Sequence, residues 1–163
     1  MGIEFICGST HFCCSCTYWD KIQREIIIAM FNYIQYKHDT LPQNDRSYKP
    51  YMDELLKLKK YVIENTENDS INIFVQMSKD INFMNALNYF DIGGLVVLCQ
   101  EYDCEYYSPG NSLDICRLFD IIEPFLKKYS CYDCIYTNNS GSFNTIYEIF
   151  ENSYNTLRKV TIC

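Results

Sequence analysis

The chain has 163 residues, 48% of them hydrophobic, and sets 14 Lys and Arg against 21 Asp and Glu for a net charge of -7. That length and apolar content fit one globular domain whose core needs no disulfide or metal staples, and the acidic balance without a Lys/Arg stripe argues against a nucleic-acid backbone as partner. The longest purely apolar run, residues 26–31, is far short of the roughly 20 residues that cross a bilayer; no secretory leader opens the chain, so a cytoplasmic or nuclear protein without a membrane partner is expected, its ten cysteines mostly thiols.

Taken in order, residues 3–7 and 11–16 read as two short strands around Gly8, Ser9 and Thr10, which is hairpin chemistry. Thr17 and Asp20 have the spacing of a capping box, and Ile22, Ile26, Met30 and Ile34 come next at helical steps, so a helix is expected over about residues 18–35. Residues 37–50 are a polar connection with room for a short edge strand. Met52, Leu55, Leu58 and Val62 make one apolar stripe of a helix over 51–65, with Lys57, Lys59 and Lys60 toward water. Residues 64–70 break the pattern, and a helix from 71 to 79 leads into two further helices joined at a corner. Asp80 is placed to cap the first, whose face is Phe83, Ala86, Leu87 and Phe90; Asp91 is placed to cap the second, which buries Ile92, Leu95, Val96 and Cys99.

Beyond Ser108, Pro109 and Gly110 the chain restarts with Asn111 and Asp114 at capping-box spacing. Leu113, Cys116, Leu118, Ile121, Ile122 and Phe125 then give one or two short helices, with Pro124 as a kink or first-turn residue. A turn over 138–142 precedes a last amphipathic helix, about 145–160, carrying Ile146, Ile149, Phe150, Ser153 and Leu157.

The run Ala86, Leu87, Asn88, Tyr89, Phe90, Asp91, Ile92 resembles the helical hairpin of the BTB/POZ fold, in the form found in adaptor subunits of cullin-RING ubiquitin ligases, the SCF-adaptor and elongin C type. The order of elements over roughly residues 3–103 is similar to that pattern. The resemblance implies an α+β fold, with a BTB/POZ-like domain of short N-terminal strands and helical hairpins over 1–107 and a helical C-terminal extension over 108–163. It also implies a protein-protein interaction adaptor rather than an enzyme, bridging a cullin-like scaffold and a receptor or target protein. In that family the Asn-Tyr pair of the corner faces the cullin, and here the pair is Asn88 and Tyr89. Leu87 stands where a second Ala is common, and the adaptors' acidic insertion is missing. The common BTB homodimer uses an extra helix ahead of the first strand and is not expected, since the first strand begins near residue 3. A structural subunit of a large assembly (virion, ribosome or ciliary complex) is the alternative, and a zinc- or cysteine-dependent enzyme ranks below it.

Other motifs carry less. Cys13 and Cys16, like Cys131 and Cys134, have the spacing of half a zinc site, with His11 nearby, but the halves lie far apart in the chain, and buried thiols are the expected reading. Only His11 and His38 are available to activate a thiolate, and neither is placed for it by any motif. Gly93 and Gly94 lack the Lys and Ser/Thr of a phosphate loop. No catalytic residue and no cofactor is expected.

Overall fold

A computed structural model gives the fold and describes residues 2–42, 46–65, 67–99, 105–129 and 142–163. Strands β1 (Gly2–Cys7) and β2 (Thr10–Ser15) form the expected hairpin, pairing one to one from Gly2 opposite Ser15 to Cys7 opposite Thr10. The two-residue loop closes because Gly8 takes φ +63, a left-handed value that costs a residue without Cβ nothing. Helix α1 (Cys16–Thr40) begins two residues before the expected start. Ser15 already has the extended φ and ψ of an N-cap, and its Oγ accepts a hydrogen bond from the Tyr18 N-H at 3.1 Å, so the cap is Ser15 and not Thr17. The stripe Ile22, Ile26, Met30 and Ile34 is wholly buried, and the helix continues to Thr40. Among the described residues between α1 and α2 (Lys49–Ile63) there is no strand; Pro50 sits in the first turn of α2, where its missing N-H has no partner to lose.

Helix α3 (Glu67–Met77) starts four residues earlier than the sequence pattern implies, and buried Ser70 anchors it by donating to the Val62 carbonyl at 2.6 Å. Helix α4 (Ile81–Tyr89) is capped as expected: Asp80 Oδ1 accepts from the N-H groups of Asn82 and Phe83 at 2.8 and 3.1 Å. Asp91 caps nothing. It lies at φ +58 as the left-handed residue that ends α4, with its own N-H donating to Asn88 O and the Ile92 N-H to Leu87 O, the paired bonds of a Schellman turn. Helix α5 (Gly94–Cys99) starts from there. After β3 (Tyr106–Tyr107) comes a single helix α6 (Pro109–Tyr129), which keeps Pro124 in its interior. Its capping box is Ser108 with Asn111, three residues ahead of the expected pair: Ser108 Oγ accepts from the Asn111 N-H, and Asn111 Oδ1 accepts from the Ser108 N-H, both at 3.1 Å.

Helix α7 (Ser142–Thr156) ends in a second Schellman turn, in which the Arg158 N-H donates to Ser153 O and Leu157 takes φ +58. Leu157 is therefore not part of the buried stripe; 79% of it is exposed. Left-handed backbone costs an L-residue roughly 1–2 kcal/mol, and this side chain returns little by packing. Leu157→Gly is expected to raise stability by about 0.5–1 kcal/mol after the greater entropy of an unfolded glycine is subtracted; a fall in the urea midpoint would show that the Leu157 side chain makes contacts that matter.

The chain closes on β4 (Val160–Ile162), a strand that no sequence pattern announces. It inserts between β1 and β3, giving an antiparallel sheet of order β2-β1-β4-β3. One sheet face is covered by helices. Phe5 is its centre, with its ring 4.7 Å from Trp19 of α1, 6.2 Å from Tyr107 of β3 and 6.4 Å from Phe150 of α7. Gln23, wholly buried on α1, donates from Nε2 to the Leu98 carbonyl at 3.2 Å and ties α1 to α5. Buried Ser112 and Ser153 join α6 to α7 at 2.8 Å. One hydrophobic cluster runs from Ile3 to Val160, so the boundary drawn at residue 107 passes between strands of one sheet and through a shared core. Among the described residues no helix is long and apolar enough to cross a membrane.

Candidate functional site

The corner after α4 is bounded by two backbone motifs. The Asp80 cap fixes where α4 starts, and the Schellman turn at Asp91 fixes where it ends. Between them the helical period buries Phe83, Ala86 and Leu87 and turns Asn88 and Tyr89 outward. Both residues of the expected pair are thus on the surface, but they face different neighbours.

Tyr89 is 48% exposed. Its ring lies flat on Tyr51 of α2, with centroids 4.4 Å apart and planes 16° from parallel, and stands edge-on to Phe90 at 5.0 Å. Nothing in the sequence marks Tyr51, because the contact crosses from one helix to another and neither helix carries a signal for it. Beside the stack is a depression of about 300 Å³ lined by Pro50, Tyr51, Glu54, Asn82 and Asn85. Two side-chain amides and a tyrosine line it together with the Glu54 carboxylate, which Lys57 meets at 3.0 Å. Ile81, at the start of α4, is also exposed.

Asn88 points the other way. Its Oδ1 lies against Gly93, where an added Cβ would come within 2.5 Å of it, and the residue lines a second depression of about 210 Å³ with Met84, Asp91, Gly93, Gly94, Val97 and Asp114. Asp91 reaches further: burial, and then the negative charge of Asp91, pushes the Tyr33 phenol above its ordinary range. Asn88 therefore belongs to the junction of α4, α5 and α6, and Tyr89 to the junction of α2 and α4.

The cysteine and histidine candidates do not converge. His11 and Cys13 share the solvent face of β2, and Cys16 opens α1 half-buried, so neither thiol of this pair is buried as expected: Cys13 falls on the outward side of the strand's alternation. Cys131 and Cys134 lie outside the described residues. Among the described residues no three His, Cys, Asp or Glu side chains are grouped to hold a metal ion. His38 sits 3.2 Å from the Asp39 carboxylate on the surface; hydrogen bonds from His38 and Gln35 hold that carboxyl below its usual range. Cys7, Cys99 and Cys116 are buried, as their apolar surroundings imply. Burial raises the Cys7 thiol against the opposing pull of Arg158, and burial with the charges of Asp120 and Glu151 pushes Cys116 up to about 12. Both therefore stay protonated at neutral pH, and the thiol form is a poor nucleophile. Compared with known proteins, the chain matches no family model, no curated protein and no solved structure.

Proposed function

We propose that this protein is a non-catalytic interaction module whose contact face is the α2/α4 corner, with Tyr89 as its anchor. The observation that carries this reading is the half-exposed Tyr89 ring held flat on Tyr51 beside a polar depression lined by Asn82, Asn85 and Glu54. A tyrosine already stacked loses little freedom on binding, and tyrosine is among the residues that dominate interface energies. The finer reading is an adaptor that offers this corner to a cullin-like scaffold and residues 108–163 to a receptor or target; it rests on the resemblance carried by residues 86–92. Asn88, turned toward α5, then lies at the rim of the contact.

Tyr89→Ala tests both levels. Losing one exposed aromatic stack costs about 0.5–1.5 kcal/mol, so the melting temperature should fall by only a few degrees, whereas binding through a hot spot should weaken by about 2 kcal/mol, near thirtyfold. Capture with the native chain, with Tyr89→Ala and with Tyr61→Ala, another exposed tyrosine of α2, separates the outcomes. A purified cullin-type scaffold bound by the native chain and Tyr61→Ala but lost with Tyr89→Ala supports the adaptor. Loss of other protein partners only removes the adaptor and keeps the interaction face, and unchanged capture by Tyr89→Ala removes the face itself.

A further inference from the structure

Strand β2 is an outer strand of the sheet. Its pairing with β1 runs one to one from the two-residue loop, so Thr10, Phe12 and Cys14 are the residues that exchange hydrogen bonds with β1. The neighbouring strand confirms this alternation: Glu4, opposite Cys13, turns its N-H and C=O away from β2 and exchanges both bonds with Cys163 at 3.0 Å. The backbone N-H and C=O groups of His11 and Cys13 accordingly point off the sheet edge. Sheet edges of this kind are ordinarily blunted by Lys, Pro, a bulge or an inward charge. The stretch Thr10, His11, Phe12, Cys13, Cys14, Ser15 contains no Lys, Pro, Asp or Glu, and its register is unbroken.

We propose that this edge pairs with the same edge of a second copy, β2 antiparallel to β2 about a twofold axis at Phe12. In that register the N-H and C=O of His11 meet the C=O and N-H of Cys13 of the second copy, and the symmetry repeats the exchange. The four outward groups of His11 and Cys13 on each strand are satisfied without calling on Ser15, which is committed to capping α1. The occupant is a second copy because the outward groups are self-complementary about Phe12. In addition, β2 offers two chains of net charge -7 a strip on which no like charges meet. On the solvent face each His11 imidazole then stands beside a Cys13 thiol of the other copy, a pair that can hydrogen-bond. This dimer joins strand edges and needs no helix ahead of β1, so it differs from the common BTB homodimer; it is also independent of the Tyr89 reading.

Sedimentation equilibrium under reducing conditions, across a concentration series, tests it. The native chain should move reversibly between one and two times 19.3 kDa. Cys13→Lys places like charges at the paired edges and should raise the dissociation constant about a hundredfold. Cys13→Pro removes an outward donor at a position where an edge strand accepts proline, and should act in the same direction. Cys163→Lys, with the same charge on the same sheet face but paired to Glu4 inside the sheet, should leave the dimer unchanged. A native chain that is monomeric throughout, an assembly larger than a dimer, or a dimer that survives both Cys13 variants overturns the proposal.

Discussion

Gly94→Ala is expected to lower stability by about 2–3 kcal/mol, although alanine favours helix over glycine by roughly 1 kcal/mol. Gly94 is the first residue of α5 and sits directly on the backbone of α6. A Cβ there would press into the carbonyl group of Asp114 and come within 2.8 Å of the Ile115 nitrogen. Atoms of a helical backbone cannot turn aside as a side chain does, so α5 and α6 must separate along buried Leu95, Leu98, Ile115 and Leu118. For a chain of this length such a loss lowers the melting temperature by roughly 5–10 °C. Gly110→Ala is the internal control: a Cβ at Gly110 meets nothing closer than Ser108 Oγ at 3.7 Å, so that variant should be neutral or slightly stabilising. Equal urea midpoints for the two variants would mean that the α5/α6 approach is looser than its geometry.

The second large effect is a loss of stability in alkali, centred on Cys116. Its ordinary value is 9.0, and in the folded chain burial, with Asp120 and Glu151 adding negative charge, pushes it to about 12. Above pH 9 the unfolded chain therefore releases this proton while the native chain keeps it. Stability is whole below the unfolded value and falls as pH rises from 9 toward about 12. A gap of three pH units corresponds to at most about 4 kcal/mol. Tyr147 acts in the same direction: burial and its 3.0 Å hydrogen bond to Asp120 raise the phenol from 10.0 to about 12. Cys116→Ala removes the titrating thiol at a packing cost of about 1 kcal/mol that is the same at every pH. Halfway through the interval the native chain should have lost about 2 kcal/mol more than the variant, relative to neutral pH. Parallel stability profiles for native and variant would show that Cys116 ionises as it does in water.

The features legible in the sequence are those set by interactions within a few residues. The stripe Ile22, Ile26, Met30 and Ile34 marks α1 because a helix returns to the same face every three or four residues, and Asp80 marks the start of α4 because a carboxylate at that spacing meets the free N-H groups of its own first turn. The outward turn of Tyr89 comes from the same period once Phe83, Ala86 and Leu87 are taken as the buried face. Where two local solutions compete, the sequence is ambiguous and tertiary structure decides. Ser15 and Thr17 can each cap a helix, and the hairpin's end at Ser15 selects the first. Asp91 can cap a helix on its C-terminal side or end α4 on its N-terminal side; packing Ile92 and Leu87 together in the core places it in the left-handed position. Contacts between distant segments leave no local trace at all. Val160, Thr161 and Ile162 are too few to show an alternating pattern, and they become a strand only because β1 and β3 leave a ladder between them to be filled. Tyr51 under Tyr89, Ser112 bonded to Ser153 and the bare backbone approach at Gly94 arise in the same way. Each joins helices whose own periodicity is complete without it, so only the packing of one helix on another brings the partners together.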